Sequence, residues 1–223
     1  DILGRSVMAT TALYTARDLC EEALRLIGVV ALDEPMDADT GKAALMSLNL
    51  MIKGWQNKEY SLWLTTSQTL NLTTAASYTL NPKRPLRIES ARLVRSGIET
   101  PMWAMTRNEY DNIPQKASTG LPTTFYYDRQ KEDALFYVWP VLAAANGETV
   151  KITYEREFED LTDLSENPDI PGEWWETVAY NLASRLSMKF GVDAPKVDAY
   201  AKMTLDEALA ADREGSVYFG EPR

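Results

Sequence analysis

The chain has 223 residues, of which 45% are hydrophobic and 25% charged, and its net charge is −10. This composition belongs to a folded protein of one domain or two small ones, and the charge disfavours tight, general binding to a polyanion. The chain has no histidine, which removes imidazole bases, His-based triads and the commonest transition-metal ligand, and a lone Cys20 excludes an intrachain disulfide or a CxxC site.

No run approaches the roughly 18 apolar residues needed to span a bilayer, and no signal-peptide core precedes the first helix, so no membrane partner is expected. Met8, followed by Ala-Thr-Thr, is a candidate start, which would make residues 1–7 an upstream extension. Residues 15–28 predict a helix with Thr15 as its cap, Asp18 at the positive end of its dipole, and an apolar stripe of Leu19, Ala23, Leu26 and Ile27. Cys20 lies within this pattern as a small core residue. A second helix, capped by Asp37 or Asp39, is expected to reach about residue 58, with Leu45, Leu48, Met51, Ile52 and Trp55 on one face. The short link predicts an antiparallel helical hairpin.

From Leu62 the period changes to that of strands. Residues 68–72 and 77–80 are read as a hairpin, residues 86–94 as a strand of weak face preference, and residues 98–105 as another. Thr106 and Glu109 have capping-box spacing for a short helix ended by Pro114. Three further strands are expected at residues 123–128, 134–139 and 149–156, followed by an acidic connector. A third helix should run from Pro171 to about Phe190 and a fourth from Pro195 to about Glu214. Trp174 and Trp175 open the third helix about 100° apart, so one should face the core and the other the flank. That makes Trp174 a candidate subunit-interface anchor.

The expected fold is α+β: a four-helix bundle formed by the N- and C-terminal helix pairs, with an inserted antiparallel β region. Its parts would be residues 1–60, 61–170, 171–215 and a tail at 216–223.

Charge is uneven along the chain. Residues 81–131 hold nine Lys/Arg and five acids, a net +4, whereas residues 132–176 hold twelve acids and two bases, a net −10. Opposite signs of this kind suit a head-to-tail contact between subunits, with Arg87, Arg92, Arg129, Glu155 and Glu157 as interface candidates. Ordinary solvated surface is the competing reading, and an acidic channel lining accounts for part of the excess in a third.

Little of the chain has a catalytic pattern. Glu155 and Glu157 share strand spacing and could form an acid–base pair for glycoside hydrolysis, but no residues position a sugar ring. Asp160, Asp163, Glu166 and Asp169 lack the spacing and glycine of an EF-hand. Lys83, Arg84 and Arg87 lack the interleaved aromatics of a single-strand binder. No catalytic, cofactor or metal residue is assigned.

The segments Gly-Leu-Pro-Thr-Thr-Phe-Tyr-Tyr-Asp-Arg (120–129), Leu-Phe-Tyr-Val-Trp-Pro (135–140) and Ile-Thr-Tyr-Glu-Arg (152–156) occur in that order. With them come Pro-Gly-Glu-Trp-Trp at 171–175 and Ala-Leu-Arg-Leu-Ile-Gly at 23–28. Together they resemble the head-to-tail adaptor (head completion, tail accessory) proteins of short-tailed and related phages. The resemblance implies a structural virion protein at the head–tail junction, assembled in the host cytoplasm. It implies a homo-oligomeric ring, usually a dodecamer, docked beneath the portal protein and joined to tail or nozzle proteins. Its helices would surround the DNA channel and touch the packaged double-stranded DNA transiently. Its C-terminal segment, with Tyr218, Phe219 and Arg223 here, would bind the portal. The alternative is a carboxylate-dependent peptidoglycan hydrolase of the virion, using Glu155 or Glu157.

Overall fold

A computed structural model describes residues 14–56, 64–81, 84–131 and 133–211. The chain divides into two compact units, one made of Asp1–Tyr60 with Phe158–Arg223 and the other of Ser61–Glu157.

The first unit is helical. Helix α1 (Ala16–Leu26) starts where Thr15 and Asp18 close a reciprocal capping box: the Asp18 amide donates to Thr15 Oγ1, and the Thr15 amide donates to the Asp18 carboxylate at 2.8 Å. Two more amides of its first turn donate to the connector, Ala16 N to Glu166 O and Arg17 N to Leu164 O, both at 2.8 Å. These donors have no partner within the helix, so the connector acts as a second cap. Helix α2 (Ala38–Gln56) is capped by Asp37, whose Oδ1 accepts from the amides of Asp39 and Thr40.

After a 3-10 turn at Gly172–Trp174, helix α4 (Trp175–Phe190) ends on Gly191, whose φ of +69° is the left-handed conformation in which glycine pays no Cβ penalty. Trp174, Trp175, Val178, Leu182 and Leu186 are buried, as are Leu24 of α1 and Leu48, Met51 and Trp55 of α2; α4 packs on both helices, and Trp174 meets Trp55. Cys20 is buried in the same unit, and burial pushes its thiol up to about 12. Helix α5 (Pro195–Ala211) packs on α4.

The second unit is a seven-stranded mixed sheet. Its strands are β1 (Thr65–Asn71), β2 (Ser77–Thr79), β3 (Arg87–Arg95), β4 (Ile98–Ala104), β5 (Thr124–Asp128), β6 (Leu135–Trp139) and β7 (Thr149–Glu155), in the order β1-β7-β3-β4-β5-β6-β2. Only β4 and β5 run parallel; the other neighbouring pairs are antiparallel. A five-residue helix, α3 (Arg107–Asp111), joins β4 towards β5 and carries the predicted Thr106–Glu109 capping box. Ser96 and Gly97, at φ +50° and +79°, form the two-residue turn between β3 and β4, where twist-matching turns need positive φ at both positions.

Strands β1 and β2 occupy opposite edges, yet only residues 72–76 join them. Six flat inter-strand gaps would span about 29 Å at ~4.8 Å each. Six peptide steps reach about 21 Å at most. The sheet must therefore curl, and its inner face closes over Leu72, Leu80, Leu93, Phe136, Val150 and Ile152.

These observations correct the sequence reading in three places. The β region is not a small antiparallel insert in a four-helix bundle; it is a large mixed sheet with its own core. Nor does α5 complete a bundle. Only Ala201 and Thr204 of α5 are buried, Tyr200 is exposed, and Val197, Leu205, Ala208 and Leu209 are half-buried. Its seam with α4 is polar: Thr177 Oγ1 donates to Thr204 O at 3.1 Å, Asn181 Nδ2 to Ala201 O at 3.0 Å, and Ser184 Oγ to Asp198 Oδ1 at 2.7 Å. Finally, β1 and β2 do not pair as a hairpin. β1 takes seven consecutive partners on β7, Thr65↔Glu155 to Asn71↔Thr149, while β2 is three residues long and pairs with β6. The longer ladder satisfies more backbone groups.

Acid should loosen this fold. The carboxyl groups of Asp37 and Glu109 are held below their ordinary values of 3.8 and 4.5, mainly by hydrogen bonds from Thr40 and from the Thr106 amide respectively. The Asn146 amide does the same for Glu148, the Ser165 side chain for Asp163, and the Thr162 side chain for Glu166. A carboxyl group that is a stronger acid when folded takes up its proton first in the unfolded chain. Its stabilisation is therefore complete above the ordinary carboxylate range and is lost as pH falls through the folded value. The expected denaturant midpoint is flat from about pH 7 to about pH 5 and falls steadily below about pH 4.5. A midpoint that held constant down to about pH 3 would contradict these carboxylate assignments.

Candidate interaction surfaces

Register places the charged side chains of the sheet unit. β7 runs beside β3 so that Glu155 sits opposite Arg87, and Arg92 opposite Lys151. The Glu155 carboxylate, on a side chain 7% exposed, lies 3.5 Å from Arg87, which also reaches Glu89 at 3.4 Å. Glu157 lies just beyond the strand and is 2.6 Å from Arg84. Arg92 and Lys151 each lie 3.5 Å from Glu99. Arg95 faces Glu148 at 3.7 Å, and Arg129 Nη1 donates to Leu86 O at 2.8 Å. The pairs Arg87–Glu155 and Arg84–Glu157 join the basic and acidic stretches within one copy. Arg87, Arg92, Arg129, Glu155 and Glu157, read as interface candidates, are each engaged within their own sheet unit.

The same pairing bears on the hydrolase alternative. Glu155 and Glu157, the carboxylates that reading pairs, each lie beside an arginine, Arg87 and Arg84 respectively. Of the connector acids, Asp160 pairs with Lys53 at 2.8 Å, Asp163 accepts from the Ser165 amide at 2.7 Å, and Glu166 accepts from the Thr162 amide at 3.0 Å. Among the described residues, no group of three or more His, Cys, Asp or Glu is placed to hold a metal ion, and no helix is long and apolar enough to cross a membrane.

The two tryptophans do not divide between core and flank. Trp174 is 2% exposed and Trp175 8%. Trp174 stands at the end of the 3-10 turn that leads into α4. Trp174 packs on Trp55 with ring centroids 5.8 Å apart, and Trp175 Nε1 donates to Ile170 O at 3.0 Å. This corrects the anchor role given to Trp174, whose surface is covered by its own unit. Tyr218, Phe219 and Arg223, the portal-binding candidates, lie outside the described residues.

Each unit leaves some large apolar side chains uncovered. In the helical unit Met46 is 61% exposed and Leu50 58%, one turn apart on α2. They project at the wall of an open surface groove that Leu45 also lines. Lysines Lys42, Lys53 and Lys189 and acids Asp39 and Asp160 edge it, a net +1. Lys189 Nζ is held by Ala43 O at 2.9 Å, which fixes the end of α4 against α2.

A second groove, of about 430 Å³, opens between α1 and α4. Its apolar lining includes Tyr14, Leu19, Leu26 and Ala179, and Tyr14 lies 4.6 Å from the Trp175 ring. Three carboxylates, Asp18, Glu22 and Glu176, line it, and no lysine or arginine does. In the sheet unit, Trp103 of β4 is 74% exposed and Ile98 69%.

The chain matches no protein-family model and no curated protein sequence.

Sequence reasoning did not single out Met46, Leu50 or Trp103. The only available signal was their position out of phase with the buried stripe. Met46 and Leu50 fall between Ala44, Leu48, Met51 and Ile52, all of which are buried. Trp103 adjoins buried Met102 on β4, and strand alternation sends it to the opposite face.

Proposed function

We propose that this chain is a structural head-to-tail connector of a tailed bacteriophage, forming a ring below the portal that joins the capsid to the tail and surrounds the DNA channel. The observation that carries the reading is that each unit keeps large apolar side chains on its surface: Met46 and Leu50 on the helical unit, Ile98 and Trp103 on the sheet unit. Exposed apolar side chains that stand together, as Met46 and Leu50 do one turn apart on α2, mark surfaces that other proteins cover. Ile98 and Trp103, five residues apart on β4, fall on its two opposite faces; exposed apolar side chains on both units suit a protein that binds copies of itself and a second component, and a connector has both duties. The motif residues point the same way. Phe125, Phe136, Val138, Ile152, Tyr154, Trp174 and Trp175 are all buried, so the resemblance to phage adaptors lies in packing.

In this reading the helical unit supplies the ring contacts and the sheet unit meets tail or nozzle proteins. The action is assembly, not catalysis. Deleting the gene from the virus that encodes it should give filled heads that carry no tail and lose DNA. Tailed, infective particles from the deletion would overturn the proposal.

A further inference from the structure

Resting on the ring reading, the geometry points to a specific contact between copies of this chain: the α2 surface of one copy seats in the α1–α4 groove of the next. A closed ring needs a heterologous contact, in which one patch meets a different and complementary patch. The helical unit carries two such patches. They share no residue: Asp18, Glu22, Trp175 and Glu176 line one, and Lys42, Met46, Leu50 and Lys53 the other.

Their charges correspond. Met46 and Leu50 are i,i+4 neighbours, so they stand side by side as a ridge along α2. The second patch is a groove between two helices, and helices pack by setting ridges into grooves. The ridge is edged by Lys42 and Lys53, with a net +1 over its groove. The receiving groove carries three carboxylates and no base, a net −3. Its acids are partly positioned beforehand: Asp18 is fixed by the Thr15 capping box, and Glu176 accepts the Tyr200 hydroxyl at 3.2 Å. Tyr14, 51% exposed, gives the ridge an aromatic wall to lie against. Like charges would keep two acidic grooves apart, so the pairing also sets the direction in which copies add.

The occupant is thus a second copy of this chain, with Lys42 facing Glu22. Carbodiimide, which joins amine to carboxylate only in direct contact, tests this on the purified full chain at high concentration. The wild-type chain should yield covalent oligomers. Lys42→Glu alone and Glu22→Lys alone should each lower that yield at least tenfold, with unchanged circular dichroism. Mixing the two variants should restore it, because the side chain at position 42 of each variant then meets an oppositely charged side chain at position 22 of the other.

Variants that couple as well as the wild type, or a mixture that stays monomeric, would overturn the contact, as would a wild-type chain that yields no oligomers. These outcomes are separate from the fate of the connector reading. A chain that couples as predicted but is missing from virus particles leaves the contact standing and removes the connector role. A chain present in particles whose coupling ignores both substitutions does the reverse.

Discussion

Replacing Trp174 by alanine is expected to destabilise the helical unit by about 3–5 kcal/mol, the usual cost of emptying a buried tryptophan site. The side chain is 2% exposed and rests on Trp55, next to Trp175. Its removal leaves a cavity that three packed helices cannot close without moving. Part of the loss is transfer of the indole to water in the unfolded chain, and part is the contacts that Trp55 forfeits. Phenylalanine at the same position should recover much of the loss, since it refills most of the volume. Urea unfolding followed by circular dichroism measures this. If Trp174 were an anchor for a neighbouring subunit, W174A would unfold at the wild-type midpoint and lose only assembly.

Phe136→Ala should cost the sheet unit a similar amount, about 3–5 kcal/mol. Phe136 has no exposed surface, stacks on Phe125 with centroids 5.1 Å apart, and belongs to the cluster under the curled sheet. Its strand, β6, lies between β5 and the three-residue β2. Losing it removes packing from the element that holds the short edge strand, so Tyr78 on β2 should become more accessible in the native state. A loss below about 1 kcal/mol would mean that the inner face is not closed as described.

How legible these features were in the sequence follows from how local their causes are. The Thr15 cap and the Thr106–Glu109 capping box were readable because four consecutive residues contain each whole interaction. So were the individual strands, whose alternation is a property of each segment. Their pairing was not. The choice between β2 and β7 as partner of β1 depends on ladder length and on a sheet that curls, and neither is written in residues 65–80. The arginine–glutamate pairs were hidden for the same reason. Arg87 and Glu155 are far apart in sequence and become neighbours only through the β3–β7 register.

The final helix misled because alanines, Val197 and Leu205 at helical spacing look the same whether they face a core or a polar seam. The Thr, Asn and Ser that contact it lie on another helix, α4. Trp174 misled because the side chain that covers it, Trp55, lies on another helix, α2, far away in sequence. The exposed Met46–Leu50 ridge could be recognised only once the buried stripe of α2 was known, since it is what that stripe leaves over.

We propose that this chain works by being covered, its exposed apolar side chains being seats for neighbouring proteins in a virus particle. Purified particles of the virus that encodes it provide the most direct test, through the copy number of the chain per particle measured against the portal protein. The account predicts a fixed, ring-sized ratio to the portal that survives removal of loosely bound material. A particle that carries none of the chain, or a single copy, would contradict it.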